Sequence, residues 1–510
     1  MNRLKNSIRN ILVALIGQGL GVIITLVTRL IFVKYLNVEY LGINALFMNI
    51  IAVLSLADLG IATAMVFSLY KPIAENDTKQ ITILMQLYKK IYSYIGLTVF
   101  LIGILILPFL DIFIKGEPGI DNLGFIFFLY VLNAASTYLF TYKRSLIIAD
   151  QKQYISTIFM YSRIIVVNLF QIFILVYTQN FILYLLVQFV FIFLENWLIS
   201  HLANRMYPFL RNKTKEKLDE YTLGNIKKNI KAMMIHRIGS IVVFNTDNII
   251  LSSYIGISIV GLYSNYLLII NTVNNLIGQI FSSITASIGN LGVLEEGKVL
   301  NDRFSTANFV GFWIFGFSSI CFYILLNPFI NLWIGEKYTF DMLVVLVISI
   351  NFYINGMRQA TLTFRTALGL FWYDRYKPIY ETIVNLVASI VLVQYLGILG
   401  VIIGTIMSTL FICTWLEPFI LYKYGFKSNL KEYFLKYLIY TMVLILAALL
   451  TILIVSFINF FGVLGFVIRL LICIFIPNAI FLIFFYKTNE FKSLVDILIR
   501  IKSNSNFSKR

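Results

Sequence analysis

Apolar runs of about twenty residues or more, the length an α-helix needs to cross the hydrocarbon core of a bilayer, recur from one end of this chain to the other. They fall near residues 10–35, 41–69, 91–114, 123–142, 154–177, 181–203, 232–255, 258–290, 307–328, 341–365, 378–396, 399–422, 433–458 and 464–486. With 59% hydrophobic and only 13% charged residues, a chain of this length cannot cover itself with a water-facing surface, so lipid must be its main solvent. Backbone amides have no water to bond in lipid, which leaves bundled helices or a closed barrel. The period-two alternation of a barrel is absent, and the expectation is an all-α integral membrane protein of about fourteen transmembrane helices.

The formal charge of +17 would suit a nucleic-acid binder if it were spread over a polar surface. It is instead sorted by topology. With the N-terminus inside, roughly 32 of the 41 Lys and Arg fall in cytoplasmic segments, which is the positive-inside pattern and argues against nucleic acid as a partner. The reading is a multi-pass membrane protein with both termini cytoplasmic and its basic loops near anionic membrane lipids. Met1-Asn2-Arg3-Leu4-Lys5 and the run after it are read as an uncleaved first span, because the run is too long and no small-residue cleavage site follows. Cys321, Cys413 and Cys473 lie apart within spans and form neither a disulfide nor a metal pattern, and no nucleotide-loop or zinc signature occurs. No cofactor or metal is expected.

The chain also repeats itself. Tyr35-Leu36-Asn37-Val38-Glu39-Tyr40-Leu41-Gly42 aligns with Tyr254-Ile255-Gly256-Ile257-Ser258-Ile259-Val260-Gly261 at an offset of 219, which continues without a gap as far as Lys79 on Lys298. A second echo, at a slightly different offset, sets Thr141-Tyr142-Lys143 against Thr363-Phe364-Arg365. Six spans separate the equivalents, so both copies enter the membrane in the same direction: a parallel repeat of two six-helix lobes in pseudo-two-fold relation. The expected organisation is an N-lobe at 1–203, a basic cytoplasmic linker at 204–231, a C-lobe at 232–422, two added helices at 423–486 and a basic cytoplasmic tail at 487–510.

Polar residues inside the spans are the candidates for function, because an ionisable group at the helix centre costs about 2.5–3.5 kcal/mol on insertion scales. Gln18, Thr25 and Arg29 make one stripe on the first span, beside Gly17 and Gly21, whose spacing allows a neighbouring helix to come close. Arg237 stands on the seventh span and Arg163 on the fifth, the latter with Glu195 as an alternative partner; Glu195 and His201 themselves are read as interfacial. Asn271, Asn274 and Asn275 crowd the eighth span, and Asn351, Asn355, Arg358 and Arg365 line one face of the tenth. Guanidinium forks grip phosphate and amides grip hydroxyls, so Arg29, Arg163, Arg237, Arg358, Asn271, Asn275 and Asn355 are candidate substrate-binding residues for a sugar phosphate. Asp58 and Asp247 are candidate ion-coupling residues, or else counter-ions for a nearby arginine. The chemistry is binding without bond making, and no catalytic residue is assigned.

At Tyr35-Leu36-Asn37-Val38-Glu39-Tyr40-Leu41-Gly42 and again at Leu56-Ala57-Asp58-Leu59-Gly60-Ile61 the chain resembles bacterial polysaccharide-unit flippases of the Wzx type, within the multidrug/oligosaccharidyl-lipid/polysaccharide exporter superfamily. Tyr70-Lys71-Pro72-Ile73-Ala74-Glu75-Asn76-Asp77 looks like the capsule-cluster members from low-GC Gram-positive bacteria. The resemblance implies a V-shaped pair of lobes working by alternating access around a cationic cavity. The cargo it implies is an undecaprenyl-pyrophosphate-linked oligosaccharide, carried to the outer leaflet for capsule or other surface polysaccharide synthesis. It also implies an ion gradient as the drive, with H⁺ or Na⁺ left open, and the polysaccharide polymerase machinery as partner. Two helices beyond the repeat suit the flippase branches better than the drug exporters. A multidrug or cation antiporter of the same superfamily would want an acidic cavity, a lipid II flippase a first-span pattern not evident here, and a membrane-embedded polymerase or ligase a sizeable outer loop.

Overall fold

In lipid every span must satisfy its own backbone, and this chain does so with helices throughout the described part. The computed structural model describes residues 2–55, 61–211, 214, 224, 245–294 and 297–507. In chain order the helices are α1 (Asn2–Tyr35), α2 (Val38–Leu54), α3 (Ile61–Ala74), α4 (Thr78–Ile106), the short α5 (Leu110–Phe113), α6 (Leu123–Ala149), α7 (Gln153–Thr178) and α8 (Phe181–Met206). After the helical stretch 245–254 (α9) come α10 (Ile257–Leu294), α11 (Lys298–Ile334), α12 (Met342–Ala367), α13 (Lys377–Leu396), α14 (Ile398–Ser408) and α15 (Thr414–Ile420). The last three are α16 (Lys431–Ser456), α17 (Gly462–Phe485) and α18 (Asn489–Phe507).

Among the described residues twelve helices are long and apolar enough to cross a membrane, and each coincides with an expected span. The other two of the expected fourteen fall where residues lie outside the description. The second becomes α2 and α3 on either side of 56–60, and the seventh is described only over α9. The fold class is as expected, an all-helical membrane protein.

The chain divides into two compact units, Met1–Gly261 and Leu262–Arg510. In the first, the core joins α3, α4 and α6 around Met65, Leu69, Tyr88, Tyr92, Val99 and Tyr138. Tyr161 of α7 lies against Gly17 and Gly21 of α1, the close approach that glycine spacing on the first span led one to expect. Asn10 near the start of α1 caps the start of α7, its Oδ1 accepting from the Tyr154 amide at 2.6 Å, so α1 and α7 rise side by side from the same end. In the second unit α11 runs through an aromatic core, with Phe304, Phe309, Phe312 and Phe315 packed on Phe364, Phe426, Tyr440, Phe481 and Phe352. The α13–α14 pair closes on small and polar groups instead: Gly400 and Gly404 leave no room for a Cβ, and Asn385 donates to Thr405 at 3.0 Å.

The sequence repeat has a physical counterpart at the starts of α2 and α10. A Cβ on Gly42 would collide with the Ile257 carbonyl oxygen, and one on Gly261 with the Val38 carbonyl oxygen. Val38 and Ile257, like Gly42 and Gly261, are separated by the 219-residue offset of the first echo. The Ser258 hydroxyl donates to Glu39 at 2.9 Å, a third pair at that offset. Each segment thus offers the other the surface it receives, a reciprocal contact within the first unit. Filling this contact should overpack it: Gly42→Leu and Gly261→Leu are each expected to cost about 1–3 kcal/mol, read as a lowered midpoint of thermal unfolding in detergent.

Candidate functional site

Among the described residues buried charge gathers in two clusters, and one candidate cation stands apart from both. The first cluster centres on Glu195 of α8, which is 6% exposed. Arg144 of α6 donates Nη2 to Glu195 Oε1 at 2.6 Å and to Asn196 Oδ1 at 3.2 Å, while Arg163 of α7 donates Nε to Glu195 Oε2 at 2.5 Å. Lys143 Nζ donates to Ser200 Oγ at 2.7 Å. Glu195 is thus buried inside the first unit, held there because two arginines compensate the cost of removing it from water. The pairing of Arg163 with Glu195, one of two readings of Arg163 from sequence, is what the structure displays.

The second cluster centres on Glu417 of α15, which is fully buried. Arg358 of α12 reaches Glu417 Oε1 at 2.7 Å and Glu381 Oε1 of α13 at 3.3 Å; Lys377 of α13 reaches Glu417 Oε1 at 2.5 Å and Glu381 Oε2 at 3.4 Å. Two cations and two carboxylates close a neutral ring in which each charge touches both of its opposites. Asn355 accepts from Arg358 at 3.1 Å and donates to Asn351 Oδ1 at 2.8 Å, which extends the ring along α12. Local backbone places Glu417: the helix widens into π-turns at Thr409–Cys413 and Leu421–Phe426, on either side of Pro418, whose ring cannot supply an amide hydrogen. Near by, Arg365 is paired with Asp374 in the connection between α12 and α13.

Arg29 differs from all of these. It lies partly exposed on α1, above Thr25 and Thr28, whose hydroxyls bond back to Gly21 and Ile24. Its charge feels the Tyr130 and Tyr184 phenols of α6 and α8, and among the described residues it has no carboxylate in ion-pair contact. One turn further along α1, the Phe32 ring meets Tyr184 edge-on at 5.4 Å and Phe181 at 5.9 Å. This is a cation set in an aromatic wall.

The remaining candidates are placed as follows. Asn271, Asn274 and Asn275 are exposed together on one face of α10. Asp247 is partly exposed on α9. Asp58 and Arg237 lie outside the described residues. The structure thus joins Arg358 with Asn355 in one cluster, gives Arg163 to another, and leaves Arg29 apart from both. Sequence reasoning missed Arg144, Lys377, Glu381 and Glu417. A signal for the last was present: the second echo sets Thr141 on Thr363, an offset of 222, and the same offset carries Glu195 onto Glu417. In each unit this carboxylate takes one cation from each of two neighbouring helices, α6 and α7 in the first, α12 and α13 in the second. At the end of the first unit where α6 and α8 finish, Tyr207 donates to Asp150 at 2.7 Å, and burial together with that carboxylate pushes its phenol well up, so it stays a proton donor at any ordinary pH.

No protein-family profile matches the chain, and no curated protein does. Solved structures do. The chain is similar to the lipid II flippase MurJ in its inward closed conformation, with a TM-score of 0.67 and 14% identity over 94% of this chain and 99% of that one. It is similar to an inward-facing multidrug-resistance MATE transporter of the MOP superfamily, with a TM-score of 0.58 and 15% identity over 79% of this chain and 94% of the other. A point mutant of the Vibrio cholerae MATE transporter VcmN aligns with a TM-score of 0.53 and 12% identity over 84% of this chain and 99% of that one. At such identities the likeness establishes fold, and the chain is a multi-pass helical membrane protein with the fold of these transporters.

Proposed function

We propose that the chain is a flippase that carries undecaprenyl-pyrophosphate-linked oligosaccharide units from the inner to the outer leaflet of the bacterial cytoplasmic membrane. It works by alternating access, with both termini cytoplasmic, for capsule or other surface polysaccharide synthesis. The observation that carries this reading is Arg29, a cation within a span with no carboxylate partner among the described residues, flanked by Tyr130, Tyr184, Phe32 and Phe181. An arginine held in such a place without a counter-ion is costly, and an anionic ligand repays that cost with charge-assisted, forked hydrogen bonds. Aromatic faces beside it suit the apolar faces of sugar rings. The exposed amides Asn271, Asn274 and Asn275 give α10 a polar face that lipid does not solvate and that oligosaccharide hydroxyls do.

Two further points favour a flippase over a drug exporter. The likeness to MurJ spans 94% of the chain, against 79% for the MATE transporter. A carrier of organic cations needs a site with surplus negative charge, whereas the carboxylates of the two buried clusters, Glu195, Glu381 and Glu417, are each already engaged by cations. Coupling to H⁺ or Na⁺ through Asp58 or Asp247 belongs to the same proposal.

Deleting the gene in its host should stop surface polysaccharide and leave lipid-linked units facing the cytoplasm; unchanged polysaccharide with altered drug sensitivity contradicts the reading. Arg29→Ala should lower transport by about tenfold or more while leaving thermal stability unchanged or raised, because it removes a substrate contact worth about 1.5–3 kcal/mol and no structural pair. Glu417→Ala should do the reverse first: it strands Arg358 and Lys377 and is expected to cost about 3–5 kcal/mol of stability, visible as a large fall in the unfolding midpoint.

A further inference from the structure

The central carboxylates of the two clusters, Glu195 and Glu417, stand 222 residues apart, the offset of the second echo, yet the charges around them do not balance alike. In the second unit Arg358 and Lys377 face Glu381 and Glu417, and the ring is neutral; the four side chains are 11%, 7%, 9% and 1% exposed. In the first unit Arg144 and Arg163 share the single carboxylate of Glu195, and Lys143, next to Arg144 in the chain, donates to the Ser200 hydroxyl, lies over the Tyr142 ring and makes no ion pair among the described residues. Among the described residues this cluster carries a surplus of two positive charges.

The donors are also incompletely used. Arg163 spends its Nε on Glu195, and its two terminal nitrogens have no acceptor among the described residues. Arg144 spends one terminal nitrogen on Glu195 and Asn196, and its Nε is a buried donor without an acceptor. The arginine side chains remain 23% and 22% exposed, twice the exposure of Arg358. A structural ion pair closes its donors upon itself, as the second unit does. This one leaves a guanidinium fork unfilled.

We infer that Arg144, Arg163 and Lys143 form a second anion station in the first unit, whose ligand is a phosphate or pyrophosphate group. The inference rests on the flippase reading for the identity of the bearer, a pyrophosphate on an isoprenyl chain. The station lies towards the end of the unit where α6 finishes and α7 starts, whereas Arg29 lies beside Tyr184, near the start of α8. Glu195 is eleven residues along α8 from Tyr184, about 16 Å at 1.5 Å per residue. A headgroup taken up at Arg144 and Arg163 therefore has a second cation further along the same unit, and Glu195 acts as a positioning residue that holds the two arginines until the phosphate replaces it.

The test is binding of two probes, inorganic pyrophosphate and farnesyl pyrophosphate, to the purified full-length protein in lipid nanodiscs. Arg163→Gln and Arg144→Gln are expected to weaken both probes about tenfold or more, the loss of one charge-assisted contact. Glu195→Gln, which removes the competing carboxylate, should tighten both several-fold, with an unfolding midpoint lowered in buffer and restored by pyrophosphate. Should Glu195→Gln not fold, Arg163→Lys keeps the charge without the fork and should weaken binding less than Arg163→Gln. If the arginine variants lose thermal stability yet bind both probes as wild type, the cluster is structural only and the station is wrong, while the flippase reading based on Arg29 stands. If inorganic pyrophosphate binds through Arg144 and Arg163 and farnesyl pyrophosphate does not compete, the station stands and the lipid-linked cargo falls. If wild type binds neither probe, both fall.

Discussion

Each unit of this protein is organised around one buried carboxylate on which cations from two neighbouring helices converge. Glu195 gathers Arg144 and Arg163, and Glu417 gathers Arg358 and Lys377. In water such pairs contribute little, because solvent competes for both partners. In lipid the comparison is with an unpaired charge in hydrocarbon, so the carboxylate becomes a condition for having those cations at all. It also fixes which faces of three helices meet. The π-turns around Pro418 and the small-residue seam between α13 and α14 are local adjustments that bring the charged side chains to their common point.

From this arrangement follows a division of labour. In the second unit the charges cancel and the cluster is closed, which suits a rigid element. In the first unit they do not cancel, and Arg29, standing apart, adds to the excess. A protein interior that keeps surplus cations out of water is expensive unless an anion visits it. The reading of the chain as a carrier of a pyrophosphate-bearing lipid depends on that surplus more than on the fold, since the same fold serves multidrug transporters as well as a lipid II flippase.

Much of the architecture was legible in the sequence because lipid imposes a coarse, local rule: apolar runs of the right length become helices. Gly17 and Gly21 announced a close helix neighbour, and Tyr161 fills that place. The first echo paired Val38 with Ile257 and Gly42 with Gly261, residues that meet in a reciprocal contact. What could not be read was which charges pair, because partners come from helices distant along the chain. Arg144 and Lys377 fall just outside the expected spans 123–142 and 378–396, so a search for polar residues within spans passes them by. Glu195 looked interfacial, and the echo whose offset separates it from Glu417 carries too few identities around it to stand out. Arg358 and Asn355 were legible as a polar face but not as members of a closed ring.

In the proposed function, surplus positive charge within the first unit serves to move a pyrophosphate headgroup across the membrane. This role is tested most directly with the purified protein in liposomes carrying a fluorescent undecaprenyl-pyrophosphate disaccharide, by following how much label becomes accessible to a membrane-impermeant quencher. The protein should speed exposure of this lipid and do nothing for a neutral analogue in which the sugar is joined to the isoprenyl chain without phosphate. Equal acceleration of both lipids, or of neither while a cationic dye is exported, would contradict the proposed function.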